Sequence, residues 1–100
     1  MADRLRIHPS VPRDLAGALR WYDEISAELG NRFRDAFETQ LDEIDRRSAS
    51  FPMAFADVRF ARIPRFPYLV VFREIGQAVR VLGLFHAASD PAKWRQRSDD

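Results

Sequence analysis

Arg73, Arg80 and His86 are the residues whose types and spacing could carry chemistry in this 100-residue chain. Two guanidinium groups can grip a phosphate and stabilise charge that develops on it. An imidazole, with an intrinsic pKa of about 6.5, can act as general acid or base in RNA cleavage. Arg59 and Arg62, in the stretch just before, can join the set. Two quieter accounts fit the same residues. The arginines can dock the carboxylates of a bound polypeptide, and His86 can close its strand with a hydrogen bond.

Other machinery is excluded by what the sequence lacks. Its four glycines are not clustered, so no phosphate-cradling glycine loop exists. His8 and His86 are the only histidines, neither stands at helical ligand spacing with a second donor, and cysteine is absent. Neither a metal site nor a cofactor is expected. No serine sits in a nucleophile elbow.

A β-hairpin must position the candidate residues. Residues 66–75 are rich in aromatic and β-branched side chains, Gly76-Gln77 supplies the turn, and residues 78–86 run back. Glycine at the first loop position suits a type II′ turn, which needs a positive φ there. In that register Arg73 faces Arg80, Val71 faces Leu82 and Leu69 faces Leu84, with His86 ending the same face. Tyr68, Val70, Phe72 and Glu74 lie on the other face, against Phe85, Gly83, Val81 and Val79, and form the predicted core. Arginines directly opposite each other repel unless an anion or a carboxylate lies between them.

Earlier elements follow from periodicity. Residues 3–8 alternate as a short half-buried strand, with Arg4, Arg6 and His8 on a solvated polar face. Pro9 stops it, and Ser10 is a candidate helix cap with Pro12 in the first turn. Leu15, Ala18, Leu19, Tyr22, Ile25 and Leu29 share one helical face, and Gly30-Asn31 reads as the break that ends it. A second helix carries Phe33, Phe37, Leu41 and Ile44 and runs out near Arg46-Arg47, whose charge suits a helix C-terminus. The short break makes the pair an antiparallel hairpin, with Trp21 as partial core at its margin.

Residues 48–52 read as a connector and residues 57–63 as a third strand. Asp90 is placed to cap a final short helix begun by Pro91, which carries Lys93, Trp94, Arg95 and Arg97, with the Trp94 ring against the sheet. The predicted order is β-αα-βββ-α. It describes an α+β fold in which a helical hairpin packs on a small, mostly antiparallel sheet, as one domain over residues 1–100.

Composition is that of a globular chain, with 46% hydrophobic and 31% charged residues. No run is long and apolar enough for a membrane span and the N-terminus has no signal-peptide core, so a cytoplasmic location is the expectation. Charge is uneven: residues 1–50 carry eight arginines against ten acids, whereas residues 51–100 carry seven arginines and one lysine against five acids. A basic second half is compatible with an acidic partner, either nucleic acid or a protein segment.

The run Arg62-Ile63-Pro64-Arg65-Phe66-Pro67-Tyr68, the strand with Arg73, the VLGLFH ending at His86, then Asp90-Pro91 and Trp94, resembles the RelE/ParE superfamily of bacterial type II toxins. Leu29-Gly30-Asn31-Arg32-Phe33 and Phe51-Pro52 fit the same pattern. The resemblance spans nearly the whole chain and is strongest over residues 62–94. It implies the toxin of a toxin–antitoxin pair, of the kind found in plasmid stabilisation systems, in a hetero-oligomer with its antitoxin. ParE-like members poison DNA gyrase and are not enzymes. RelE-like members are mRNA endonucleases that act on the ribosome, and in that case Arg73, Arg80 and His86 would be catalytic.

The family's ribonucleases commonly use a C-terminal tyrosine; none follows Tyr68 here, and Lys93 is the only lysine, which favours ParE. Family members often carry arginine three residues after the strand-ending histidine, where this chain has Ser89. That departure leaves open a relic that only binds its antitoxin. The resemblance thus implies a target-binding surface of Arg59, Arg62, Arg73, Arg80, His86, Lys93, Trp94 and Arg95.

Overall fold

Apolar residues on both faces of one hairpin set the layering of this fold. The computed structural model describes residues 3–99. Its elements are β1 (Leu5–Ile7), α1 (Val11–Ile25), α2 (Ala27–Arg47), a 3-10 turn (Ser48–Ser50), β2 (Met53–Phe55), β3 (Val58–Arg62), β4 (Tyr68–Ile75), β5 (Ala78–His86) and α3 (Ala92–Ser98). The strands form one five-stranded sheet in the order β1-β5-β4-β3-β2. β1 runs parallel to β5, and the remaining pairings are antiparallel.

Val70, Phe72, Val79, Val81 and Leu84 face the helical hairpin and bury against Leu19, Tyr22, Phe33, Phe37 and Ile44. Leu69, Val71, Leu82 and Phe85 face the other way, where Val58 and the Trp94 ring of α3 close a second cluster. The expected core therefore exists, and the face that carries Arg73 and Arg80 is a core as well. At roughly 2 kcal/mol per fully buried large apolar side chain, neither layer is dispensable in a chain this small.

The turn is as expected: Gly76 has φ +60° and Ile75 pairs with Ala78. The predicted register holds from there through Phe72 opposite Val81, and Arg73 does face Arg80. It then shifts by one. Val71 pairs with Gly83, Leu69 with Phe85 and Tyr68 with His86, so Leu82 is the extra residue of a β-bulge. Gly83 is needed beside it, because a Cβ there would lie 2.6 Å from the Phe85 ring and 2.7 Å from Arg97 Nη1. The bulge moves Leu84 and His86 to the helical-hairpin side and Phe85 to the α3 side.

Other expectations are corrected by local packing. The sheet has one strand more than predicted, because the connector continues into β2, a three-residue edge strand paired irregularly with β3. The helices part at Ser26, not at Gly30-Asn31: Ser26 is extended (φ −166°, ψ 150°) and its Oγ accepts from Leu29 N at 3.0 Å. Gly30 lies inside α2, where a Cβ would meet the Asp23 carboxylate of α1, so this glycine serves close helix approach. Ser10 makes no side-chain cap. Ile25 and Trp21 are exposed rather than core, at 62% and 63%.

The polar face of β1 is not solvated throughout. His8 is buried and its Nδ1 accepts from Ser10 N at 3.0 Å. Arg4 reaches Asp45 O at 2.6 Å, Ser48 Oγ at 3.0 Å and Gln77 O at 3.0 Å, which ties the first strand to the end of α2 and to the hairpin turn.

Beyond Val81, β5 loses its neighbour. β1 pairs with Val79–Val81, His8 N donates to Val81 O, and the chain then turns into α1. The exposed edge is closed by side chains instead. Asp14 Oδ2 accepts from Leu84 N at 3.1 Å and from Arg97 Nη1 at 2.8 Å, while the same Nη1 donates to Leu82 O at 2.8 Å. Arg97 Nη2 donates to Asp14 Oδ1 at 3.3 Å, so α1, β5 and α3 meet at one largely buried ion pair. Removing one partner strands a desolvated charge and, for Asp14, an unpaired backbone N–H. Asp14→Ala and Arg97→Ala should each destabilise the chain by about 2–4 kcal/mol. In urea unfolding the double variant should lose much less than the two losses added, and simple additivity would disprove the coupling.

Candidate functional site

The bulge in β5 divides the expected site. Arg73 and Arg80 are paired neighbours on the α3 side of the sheet. His86 belongs to the helical-hairpin side, paired with Tyr68, their rings edge-on at 5.2 Å between centroids. The arginines and the imidazole therefore do not share a face. His86 is exposed, its Nδ1 accepts from Ala88 N at 3.0 Å, and its carbonyl accepts from Ser89 Oγ at 2.7 Å. The last two bonds shape the turn that leaves β5, so the quieter account of His86 describes its contacts.

The remaining candidates also separate. Arg59 pairs with Phe72 and so lies on the helical-hairpin side, where it donates to Glu74 Oε1 at 3.3 Å and to Phe51 O at 2.6 Å. Glu74 also accepts from buried Ser48 at 2.6 Å, which makes Arg59 part of a structural network rather than of a joint site with Arg73. Arg73 itself donates to Asp57 Oδ2 at 2.9 Å, the carboxylate that its position opposite another arginine calls for. Trp94 is buried between Phe60 and Phe85, each with centroids 6.2 Å away, and is core rather than a contact surface. Its ring packs against the sheet as expected. Arg62, Lys93 and Arg95 are exposed, and Arg95 stacks over the Phe55 ring at 4.3 Å.

Another constellation, outside the arginine set, lies on the helical-hairpin side. Tyr22, Phe33, Phe66 and Tyr68 form an aromatic cluster, with centroids 5.0 Å apart for Tyr22–Phe33 and for Phe33–Phe66. Beside it a groove of about 430 Å³ is lined by Gly17, Trp21, Tyr22, Pro67, Tyr68 and His86. A second groove, about 660 Å³, runs between Leu29, Arg32 and Ala36 on α2 and Pro64, Arg65 and Phe66. The first is mostly apolar, whereas the second also carries the charged Arg32, Asp35 and Arg65.

No family model matches the sequence. The chain is 28% identical over 95 residues to the Toxin ParE2 of Mycobacterium tuberculosis (strain CDC 1551 / Oshkosh), a match that covers 91% of this chain and 88% of that protein. Its fold superposes on a chain of the chromosomal ParDE TA system from P. aeruginosa with a TM-score of 0.74 and 17% identity, over 85% of this chain and 96% of that one. The chain is thus similar in sequence to a ParE toxin over most of its length and shares the fold of a ParDE-system chain.

The residues that sequence reasoning passed over are Asp14 and Arg97. An acid in a first helical turn and a basic residue in a last one read as ordinary helix-dipole partners, and nothing local shows that they meet across 83 positions. Trp21 and Ile25 carried a signal, since they lie at the edge of the apolar stripe, but the periodicity was assigned inward.

Burial raises the pKa of Tyr22, with the neighbouring Tyr68 adding to it, and burial raises that of Tyr68. A raised folded-state pKa favours the neutral phenol in the native state. Its stabilisation is complete below the unfolded value of about 10 and is lost as pH rises from there through the raised folded value. Melting temperature should therefore fall as pH is raised above about 10. Tyr68→Phe should flatten that slope, and an unchanged slope would show that the aromatic cluster does not govern alkaline stability.

Proposed function

We propose that this toxin is ParE-like in action: it inhibits DNA gyrase and is neutralised by a cognate antitoxin. Carrying the choice is the position of His86, on the face of the sheet opposite Arg73 and Arg80. An mRNA-cleaving site needs its proton-transfer group and its phosphate grips around one scissile bond. Here the sheet itself lies between them. The similarity to Toxin ParE2 supports the same reading. Arg62, Lys93 and Arg95 are the exposed members of the basic set and are the residues assigned to the target. Action on gyrase would place the protein in the cytoplasm; among the described residues no helix is long and apolar enough to cross a membrane.

Expression of the chain without antitoxin should produce gyrase-dependent DNA breaks while transcripts stay intact. Charge reversal at Arg62, Lys93 and Arg95 together should raise the amount of toxin needed by about tenfold or more. Transcripts cut on translating ribosomes would replace this reading with the interferase one. Growth without breaks or cleavage, with folded toxin present, would leave a relic that only binds its antitoxin.

The antitoxin segment is assigned to the helical hairpin and the adjoining sheet edge. Trp21 and Ile25, four residues apart on α1, offer exposed apolar anchors beside the two grooves. In the complex, amide exchange should slow across α1 and α2, and Trp21→Ala should weaken binding by about 2 kcal/mol or more, as expected of a buried aromatic anchor. Full affinity in that variant, with no exchange protection on the hairpin, would place the antitoxin elsewhere.

A further inference from the structure

The start of α1 and the outer surface of α3 border an open surface hollow of about 460 Å³, lined by Ser10, Arg13, Phe85, Lys93, Gln96 and Arg97. Three of these residues are cationic and none is acidic. Asp14 stands behind Arg97, with both carboxylate oxygens engaged by Arg97 and one also by Leu84 N. Its charge therefore holds the guanidinium in place instead of serving the other two cations. Arg13 donates only to Ser10 Oγ, at 3.3 Å, and the Lys93 ammonium has no ion-pair partner among the described residues. Arg20, Arg34, Arg62, Arg65 and Arg95 likewise have no ion pair among the described residues, but Arg13 and Lys93 are brought to one hollow with Arg97.

Arg13 and Lys93 line one hollow with no acid in its lining, and an anion relieves their repulsion. The donors left to a ligand are those of a phosphate site: the Arg13 guanidinium, a point-like ammonium, a hydroxyl and a carboxamide. The hollow is wider than a bare phosphate needs, which leaves room for an attached organic body. The geometry points to a binding site for the phosphate of a nucleotide unit, either free or within a single strand. This site is distinct from the Arg73–Arg80 pair; it shares Lys93 with the surface assigned to gyrase, and its test needs no gyrase.

The test uses the purified full chain, without gyrase. Thymidine monophosphate and a short oligothymidylate are titrated separately, followed by amide NMR shifts and, for the strand, fluorescence anisotropy. The expected result is that shifts concentrate at Ser10, Arg13 and residues 93–97, that affinity falls as salt is raised, and that the double variant Arg13→Gln/Lys93→Gln loses at least about tenfold in affinity at unchanged melting temperature. Arg34→Gln, on the exposed face of α2, should bind as the unaltered chain does. Binding of the mononucleotide would assign the site to free nucleotides, and binding of the strand alone would assign it to single-stranded nucleic acid; either supports the site. Shifts scattered over the other arginines, no shift with either probe, or equal binding by the double variant would overturn it.

Discussion

A strand whose neighbour stops short leaves backbone groups that something must satisfy, and in this protein the Asp14–Arg97 ion pair does so. β1 accompanies β5 only as far as Val81, and the bulge at Leu82 would make the next stretch of edge harder for any strand to cover. The carboxylate takes the Leu84 N–H and the guanidinium takes the Leu82 carbonyl. Because each group comes from a different helix, satisfying the edge also fastens α1 to one side of the sheet and α3 to the other. Placement of Trp94, closure of the second core and the meeting of Arg13 with Lys93 all depend on that fastening.

The bulge has as much effect on function as on packing. Side chains along a strand alternate between faces, so one inserted residue reassigns all those beyond it. Arg80 lies before the bulge and His86 after it. A sheet that could have presented arginines and an imidazole to one phosphodiester instead presents them to opposite layers, and His86 joins the aromatic surface of the hairpin.

Element types and order were largely legible, because helix α2 has an unbroken apolar stripe and the β-hairpin has a glycine turn with one geometric solution. The register beyond the turn was not. Leu69, Val70, Val71 and Phe72 are all buried, as are Val81 to Phe85, and a strand that is apolar on both faces carries no alternation from which a one-residue slip can be detected. For a related reason the helix break was misplaced: Gly30 has the identity of a terminator but is spent on contact with α1, while Ser26 caps the next helix with one oxygen. The candidate site was legible as a set of residue types. Its division between faces was not, since it depends on where the bulge falls, and neither was the hollow at Arg13 and Lys93, whose residues belong to opposite ends of the chain.

The pairing of the first strand with the fifth also governs when this protein can exist as a folded object. In synthesis, Leu5–Ile7 are made well before Val79–Val81, their ladder partner, and Trp94 is made later still. Until those residues follow, neither core can be completed, and the earlier part holds two helices with an uncovered apolar face. Long-range closure of this kind slows folding and lengthens exposure to aggregation. The two layers therefore close late, once residues 5–7 lie beside residues 79–81 and the Trp94 ring has packed on the far face.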